Sequence, residues 1–96
     1  MNKQNVTTFN REYCKKQIWL VMNYHKAYLI LYFLIDKMNN SNKVVCSEKD
    51  IQEDIGISQS TVTRGIKVLK EQGFIDIQKS GTSNVYHINP DFARNG

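Results

Sequence analysis

Apolar residues recur at helical spacing in the segment 24–39 of the chain. Ala27, Leu31, Leu34 and Met38 fall on one face of a 3.6-residue period. Three further apolar side chains form a second face, and these are Tyr28, Tyr32 and Ile35. A helix that is apolar on two faces is covered on two sides. The pattern therefore predicts a helix that packs on the core by one face and on the N-terminal segment or a second subunit by the other.

The segment 9–22 upstream is amphipathic but less regular. Four of its apolar residues fit a loose helical stripe, namely Tyr13, Ile18, Val21 and Met22. The run 18–22 is also compatible with a short buried strand, because it is continuously apolar. We expect a helix here, with Trp19 in the core or at a subunit interface, and a polar, frayed segment at 1–8.

A polar turn at 39–42 and a short apolar strand at 43–46 lead into a first short helix. Ser47 followed by Asp50 has the spacing of a capping box at a helix start. Ile51 and Ile55 are the expected buried edge of this helix. It is expected to end at Gly56, the position that favours a left-handed backbone.

A second helix follows at once and shows a clear buried face. Ser58 is the predicted N-cap, and the helix is expected to run to about Gln72. Three residues at helical spacing would face the core, namely Val62, Ile66 and Leu69. Gly73 is the expected stop. Two short capped helices joined by a glycine turn predict a helix-turn-helix.

A β-hairpin follows the second helix. Alternating residues at 75–78 and 85–88 flank a polar turn built on Gly81, and Pro90 ends the second strand because proline cannot continue a ladder. This order predicts an α+β, mostly α, winged helix-turn-helix fold in a single domain, 1–96. Its predicted parts are an N-terminal extension at 1–23, a core and dimer helix at 24–40, the helix-turn-helix at 47–73 and the wing hairpin at 74–89.

In a helix-turn-helix the second helix enters the DNA major groove. Arg64 is the best candidate for a bidentate contact to guanine, and Gln59 could pair with adenine. The predicted DNA-binding residues of the second helix are Ser58, Gln59, Ser60, Thr61, Thr63, Arg64 and Lys67. Those of the wing are Lys79, Ser80, Thr82, Ser83 and Asn84. The wing would lie along the backbone or the minor groove.

Charge agrees with this placement. The chain has 13 Lys and Arg against 9 Asp and Glu, a net charge of +4. The basic surplus lies in 1–26, which could add backbone contacts from the flank, and in 58–83. The acidic surplus lies in 43–57, which includes the first helix of the motif. We infer that the basic parts turn toward DNA and that the acidic helix stands back from it.

Several other classes of protein are disfavoured. No catalytic triad, phosphate loop or carboxylate pair is legible, so we expect neither an enzyme nor a cofactor. Cys14, His25, Cys46 and His87 lack metal-ligand spacing, and no metal site or disulfide is expected. The apolar run 27–35 is too short to span a bilayer, and the N-terminus lacks the apolar core of a signal peptide.

Four features together resemble a known family. They are the apolar helix before Asn39-Asn40, the run from Ile57 to Arg64, the stretch from Leu69 to Ile75, and the run from Tyr86 to Phe92 with its Asn-Pro ending. From about Lys26 to Gly96 the chain resembles the Firmicute plasmid replication protein family (RepL). The resemblance implies a bacterial, cytoplasmic protein, associated with the nucleoid or a plasmid, that binds origin DNA and supports or controls replication.

Two classes of function remain open. The first is a sequence-specific double-stranded DNA-binding protein in plasmid replication, maintenance or its control, or a small transcriptional repressor. The second is a winged-helix module that binds a replication or segregation protein and no DNA. We also expect a homodimer on a two-fold repeat site. Its predicted interface residues are Trp19, Tyr28, Tyr32 and Ile35.

Overall fold

The computed structural model describes residues 11–94, and within them the chain forms four helices and three strands. Their bounds are α1 Arg11–Asn23, α2 His25–Lys37, β1 Lys43–Cys46, α3 Glu48–Ile55, α4 Gln59–Glu71, β2 Ile75–Ser80 and β3 Ser83–Ile88. This order confirms the predicted α+β, mostly helical winged-helix architecture. The segment 1–8 and Phe9, the expected start of the first helix, lie outside the described residues.

The core is built on α2 and its crossing with α4. The predicted face of α2 is buried, and the structure adds Ile30, which has no exposed surface. From α4 the predicted Val62, Ile66 and Leu69 are also buried. The two helices approach closely at Gly65, where an added Cβ would lie 3.3 Å from the Cα of Ala27. Two small residues at the crossing therefore let the helix backbones come together.

The segment α1 is a helix, as predicted, but it buries a different face from the one predicted. Tyr13 and Leu20 are 7% and 0% exposed, whereas Ile18, Val21 and Met22 are exposed. Tyr13 is drawn inward because its ring packs against two aromatic rings that are distant in sequence, those of Phe74 and Phe92. The predicted stripe was wrong for three of its four members, since the partners of α1 lie far along the chain.

The three strands form one antiparallel sheet in the order β1-β3-β2. Val44 faces Tyr86 across the first pair of strands, and Tyr86 faces Ile77 across the second. The hairpin loop has two residues and begins with Gly81 at φ +64°, a position that a type II′ turn gives to glycine. Both wing strands therefore reach further into the segment 79–84 than the predicted six-residue turn allowed.

Two buried or partly buried asparagines fasten the chain after the wing. Asn42, at φ +61°, donates its side-chain N–H groups to the carbonyls of Ile88 and Ala93, at 3.1 and 2.7 Å. Asn89 donates to the hydroxyl of Tyr13 and to the carbonyl of Gly73, at 3.0 and 3.1 Å. The Asn-Pro ending thus ties the last strand to α1 and to the end of α4.

None of the helices described between residues 11 and 94 is long and apolar enough to cross a membrane.

Candidate nucleic-acid interface

The helix-turn-helix is held by local capping interactions. Ser47 and Asp50 form the predicted capping box, with reciprocal hydrogen bonds of 3.1 and 3.0 Å. The backbone N–H of Ser47 lowers the pKa of the Asp50 carboxyl, because it donates to the charged form. Gly56 ends α3 in the left-handed conformation, at φ +82°. These contacts define the start and the end of α3.

The start of α4 is a cluster of exposed hydroxyls. Ser58 is the N-cap, and its Oγ accepts from the backbone N–H of Thr61 at 3.3 Å. The same Oγ lies 2.8 Å from the hydroxyl of Thr61 and 3.2 Å from that of Ser60. Because a hydroxyl both donates and accepts, this cluster can rearrange to donate to a phosphate or a base edge.

The first three turns of α4 present a polar face to solvent. Gln59, Ser60, Thr63, Arg64 and Lys67 line one shallow depression on this face. No carboxylate within residues 11–94 lies at ion-pair distance from Arg64 or Lys67. Both cations are exposed, so they are available to an external anion or base. This face will be called the α4 face, and it is defined by the five residues named above.

One member of the α4 face already has a partner within the chain. The hydroxyl of Thr63 donates to Oε1 of Glu48 on α3, at 2.8 Å. The bond joins the two helices of the motif and leaves the lone pairs of the Thr63 oxygen as acceptors only. The predicted DNA-binding role of Thr63 stays a prediction, as do those of the other members of this face.

The wing separates its predicted residues into two groups. Lys79, Ser80 and Thr82 are exposed at the hairpin end. Ser83 and Asn84 are half-buried, and Asn84 donates its side-chain N–H to the hydroxyl of Tyr86 at 2.9 Å. Burial raises the pKa of that tyrosine to about 12. Lys79, Ser80 and Thr82 are therefore better placed than Ser83 and Asn84 to contact the sugar-phosphate backbone of DNA, because their side chains are exposed.

Exposed apolar side chains concentrate on α1 and α2. Of the eight large apolar residues exposed within 11–94, all but Val45 lie between residues 18 and 32. Trp19 and Tyr32, predicted interface residues, are 41% and 51% exposed, so the placement of Trp19 in the core was wrong. The other two predicted interface residues, Tyr28 and Ile35, are half-buried against the core.

The predicted interface does not include several other exposed apolar side chains of the same region. They are Ile18, Val21, Met22, Tyr24 and Leu29. Ile18 and Met22 are four residues apart, a spacing that predicts one shared helix face, and the structure leaves that face exposed. The helix period locates a stripe and does not show which surface covers it.

Lys16 of α1 and Lys26 of α2 lie at different ends of α4. Lys16 donates to the backbone carbonyl of Gln72, at 2.9 Å, where α4 ends. A cation at this point satisfies a terminal carbonyl of the helix.

The junction of α1 and α2, by contrast, lies beside the first turns of α4. A groove of about 350 Å³ separates them and will be called the junction groove. Its lining residues are Asn23, Tyr24, His25, Lys26, Ala27, Ser60, Thr61, Arg64 and Gly65.

The two cysteines are free thiols. Cys14 is exposed on α1, and Cys46 is half-buried at the end of β1. Burial raises the pKa of the Cys46 thiol to about 11. Among residues 11–94, no three His, Cys, Asp or Glu side chains come together in a group that could hold a metal ion.

Comparison with known protein families identifies the family of this chain. The family model described as Firmicute plasmid replication protein (RepL) matches residues 2–96. The chain belongs to the RepL family. The match covers the N-terminal helix as well as the part from Lys26 onward on which the resemblance rested. No curated relative matches this RepL chain at a significant level.

Two solved structures resemble the RepL chain in fold. HlyU from Vibrio cholerae is 16% identical, and the match covers 85% of this chain and 82% of that one with a TM-score of 0.59. The second is the homodimeric winged helix-turn-helix DNA-binding domain, fragment 1–100, of Mb0332 from Mycobacterium bovis, a possible ArsR-family transcriptional regulator. It is 18% identical, and the match covers 85% of this chain and 72% of that one with a TM-score of 0.54. At these identities the likeness establishes the winged-helix fold alone.

Proposed function

We propose that this RepL-family protein is a sequence-specific binder of double-stranded DNA, not an enzyme, and that it acts in plasmid replication, plasmid maintenance or their control. The observation that carries the proposal is the α4 face. It presents Arg64 and Lys67, two exposed cations without an internal partner among residues 11–94, beside a cluster of hydroxyls. An α-helix fits the major groove of DNA, and the α4 face supplies hydrogen-bond donors for the acceptor atoms of base edges and phosphates.

Nine of the twelve predicted DNA-binding residues have a stated role in this proposal. Arg64 donates bidentately to guanine, and Gln59 pairs with adenine. The hydroxyls at Ser58, Ser60 and Thr61 bind phosphate or base edges, and Lys67 binds phosphate. The wing lies on the backbone through its exposed residues, namely Lys79, Ser80 and Thr82.

The test begins with selection of bound sequences from a random duplex pool. Affinities of the selected duplex and of an unrelated duplex are then measured by fluorescence anisotropy for the native chain, Arg64→Ala and Lys37→Ala. We expect Arg64→Ala to weaken the selected duplex by about 1–3 kcal/mol, or roughly 5- to 150-fold, and to leave the unrelated duplex less affected. Lys37→Ala removes an exposed lysine at the far end of α2 and is the control.

Two results would overturn the proposal. The first is the absence of duplex binding at low salt, which would favour the winged-helix module that binds a protein partner. The second is an Arg64→Ala variant that behaves as Lys37→Ala does on both duplexes. Either result would remove the α4 face from DNA recognition.

We further propose that the protein acts as a homodimer through the exposed apolar residues of α1 and α2. Met22 is 80% exposed there, and exposed apolar side chains cluster in this region. The Mycobacterium bovis domain is itself described as homodimeric. A two-fold dimer would bind half-sites about one helical turn, or ten base pairs, apart.

Light scattering at micromolar concentration tests the dimer. We expect a mass twice that of the 11.2 kDa chain. Met22→Lys should shift the protein toward the single-chain mass, because it buries a charge in the interface. Val45→Lys changes the exposed large apolar residue of 11–94 that lies outside this cluster, on β1, and should leave the dimer intact. A native protein of single-chain mass would contradict this proposal.

Experiments in cells distinguish an initiator of replication from a repressor. We expect a plasmid that carries the selected sequence to depend on the protein for replication or stable inheritance. The alternative is a repressor, for which a reporter controlled by the selected sequence would respond while plasmid copy number would not.

A further inference from the structure

The junction groove is lined by positively charged residues and by no acidic ones. Lys26 lines it from the start of α2, and Arg64 lines it from α4. None of its lining residues is acidic. No carboxylate within residues 11–94 lies at ion-pair distance from Lys26, which is exposed. The groove therefore offers two cations that the described part of the fold does not neutralise.

The junction groove and the α4 face are parts of one surface. Ser60 and Arg64 line both of them. The two helices approach closely at Gly65, whose missing Cβ lets α4 lie against Ala27 of α2. A duplex that receives the α4 face in its major groove would therefore lie next to the junction groove, because the two surfaces share Ser60 and Arg64.

The position of Lys26 has no evident benefit for the fold. It lies in the first turn of α2, where the helix dipole favours a negative charge and disfavours a positive one. His25 occupies the same turn, which holds no acidic residue. Lys16 shows the contrast, because it satisfies a carbonyl at the end of α4.

We propose that the junction groove binds a phosphate of the same duplex that α4 reads, and that Lys26 is the residue that contacts it. The inference rests on the proposed function and extends the interface beyond α4 and the wing to the start of α2. A phosphate contact adds affinity and fixes the register of the protein without reading sequence. Lys26 thus strengthens binding to every duplex, whereas Arg64 discriminates among them.

The experiment compares Lys26→Ala with Lys37→Ala. Both remove one exposed lysine from the same helix, at opposite ends of its 13 residues. The two sites are separated by about 16 Å, given a rise of about 1.5 Å per residue. Affinities of the native protein and both variants are measured by anisotropy on the selected and unrelated duplexes at several salt concentrations.

Loss of one phosphate contact reduces the magnitude of the negative slope of log K against log salt by about 0.9. Between roughly 50 and 200 mM salt, the advantage of the native protein over Lys26→Ala should therefore shrink by about 3.5-fold. The reduction should be similar on both duplexes. Lys26→Arg keeps the positive charge and should show the native slope. Lys37→Ala should also show the native slope.

The outcomes distinguish this inference from the proposed function. Equal slopes for Lys26→Ala, Lys37→Ala and the native protein would overturn the phosphate contact and leave DNA binding by α4 intact. A loss confined to the selected duplex would also overturn it, because Lys26 would then read a base. Absence of any duplex binding by the native protein at low salt would overturn both.

Discussion

Gly65 offers the sharpest test of how α2 and α4 pack. It lies inside α4, and on helix propensity alone Gly65→Ala should stabilise the protein by about 1 kcal/mol. The structure predicts the opposite sign. An added Cβ would lie 2.7 Å from Cδ1 of Ile30 and 3.3 Å from the Cα of Ala27. Ile30 is fully buried, so its side chain has no solvent into which it can move.

The size of the effect follows from two opposing terms. Overpacking a close-packed core costs about 1–3 kcal/mol, and the gain in helix propensity offsets about 1 kcal/mol of that. We expect Gly65→Ala to lower the free energy of unfolding by about 1 kcal/mol. For a domain of this size the melting temperature should fall by about 4–8 °C.

A double-mutant cycle assigns the cost to one atom. Ile30→Val removes Cδ1 and should by itself cost about 0.5–1.5 kcal/mol. In that background Gly65→Ala meets only the 3.3 Å contact to Ala27, so most of the helix propensity is regained. We expect a coupling of about 1–2 kcal/mol between the two positions, measured by urea unfolding followed by circular dichroism.

The reasoning would be refuted by either of two measurements. One is a rise in the unfolding midpoint for Gly65→Ala in the native background, which would mean that propensity outweighs packing. The other is an equal effect of Gly65→Ala in both backgrounds, which would mean that Ile30 Cδ1 is not the obstructing atom.

Three further predictions concern the fold. Asn42→Gly keeps a backbone that tolerates φ +61° but loses two side-chain hydrogen bonds, and it should cost about 2 kcal/mol in urea unfolding. Asn42→Ala should cost about 1 kcal/mol more, because alanine resists that φ, and equal stability of the two would contradict this. Burial raises the pKa of the Cys46 thiol to about 11. At about pH 8 Cys46 should therefore be alkylated far more slowly than the exposed Cys14. Equal alkylation rates of the two cysteines, measured by mass spectrometry, would contradict this prediction. The pKa of Asp50 is lowered from 3.8, so its stabilisation is present above that pH and is lost as the pH falls through the lowered value. Asp50→Asn should therefore lower the urea midpoint near neutrality, at about pH 7, and the deficit should disappear in acid; a deficit that persists there would exclude the carboxylate as the cause.

Local signals were sufficient for the helix-turn-helix. The capping box at Ser47, the left-handed Gly56 and the cap at Ser58 each depend on residues no more than four positions away. The buried face of α4 follows from its period, and the exposed face follows from the buried one. The residues proposed to read DNA could therefore be named from the sequence.

Contacts between distant segments could not be inferred in this way. Tyr13 donates to the carbonyl of Gly73, 60 residues away, and it accepts from Asn89, 76 residues away. Asn42 belonged to a polar turn by its sequence, yet it is buried beneath the last strand and the chain that follows it. A local pattern carries no information on such partners, because it does not specify which distant surface will cover it.

The sequence by itself determined the order of elements, the caps of α3 and α4 and the polar face of α4, because hydrogen-bonded turns and helical periodicity arise within a few residues. The tertiary structure decided which side of α1 is buried and which apolar residues remain exposed. It also decided that Lys26 lies across a groove from Arg64. Those outcomes depend on close packing between segments far apart in the chain, such as the approach of α4 to α2 at Gly65.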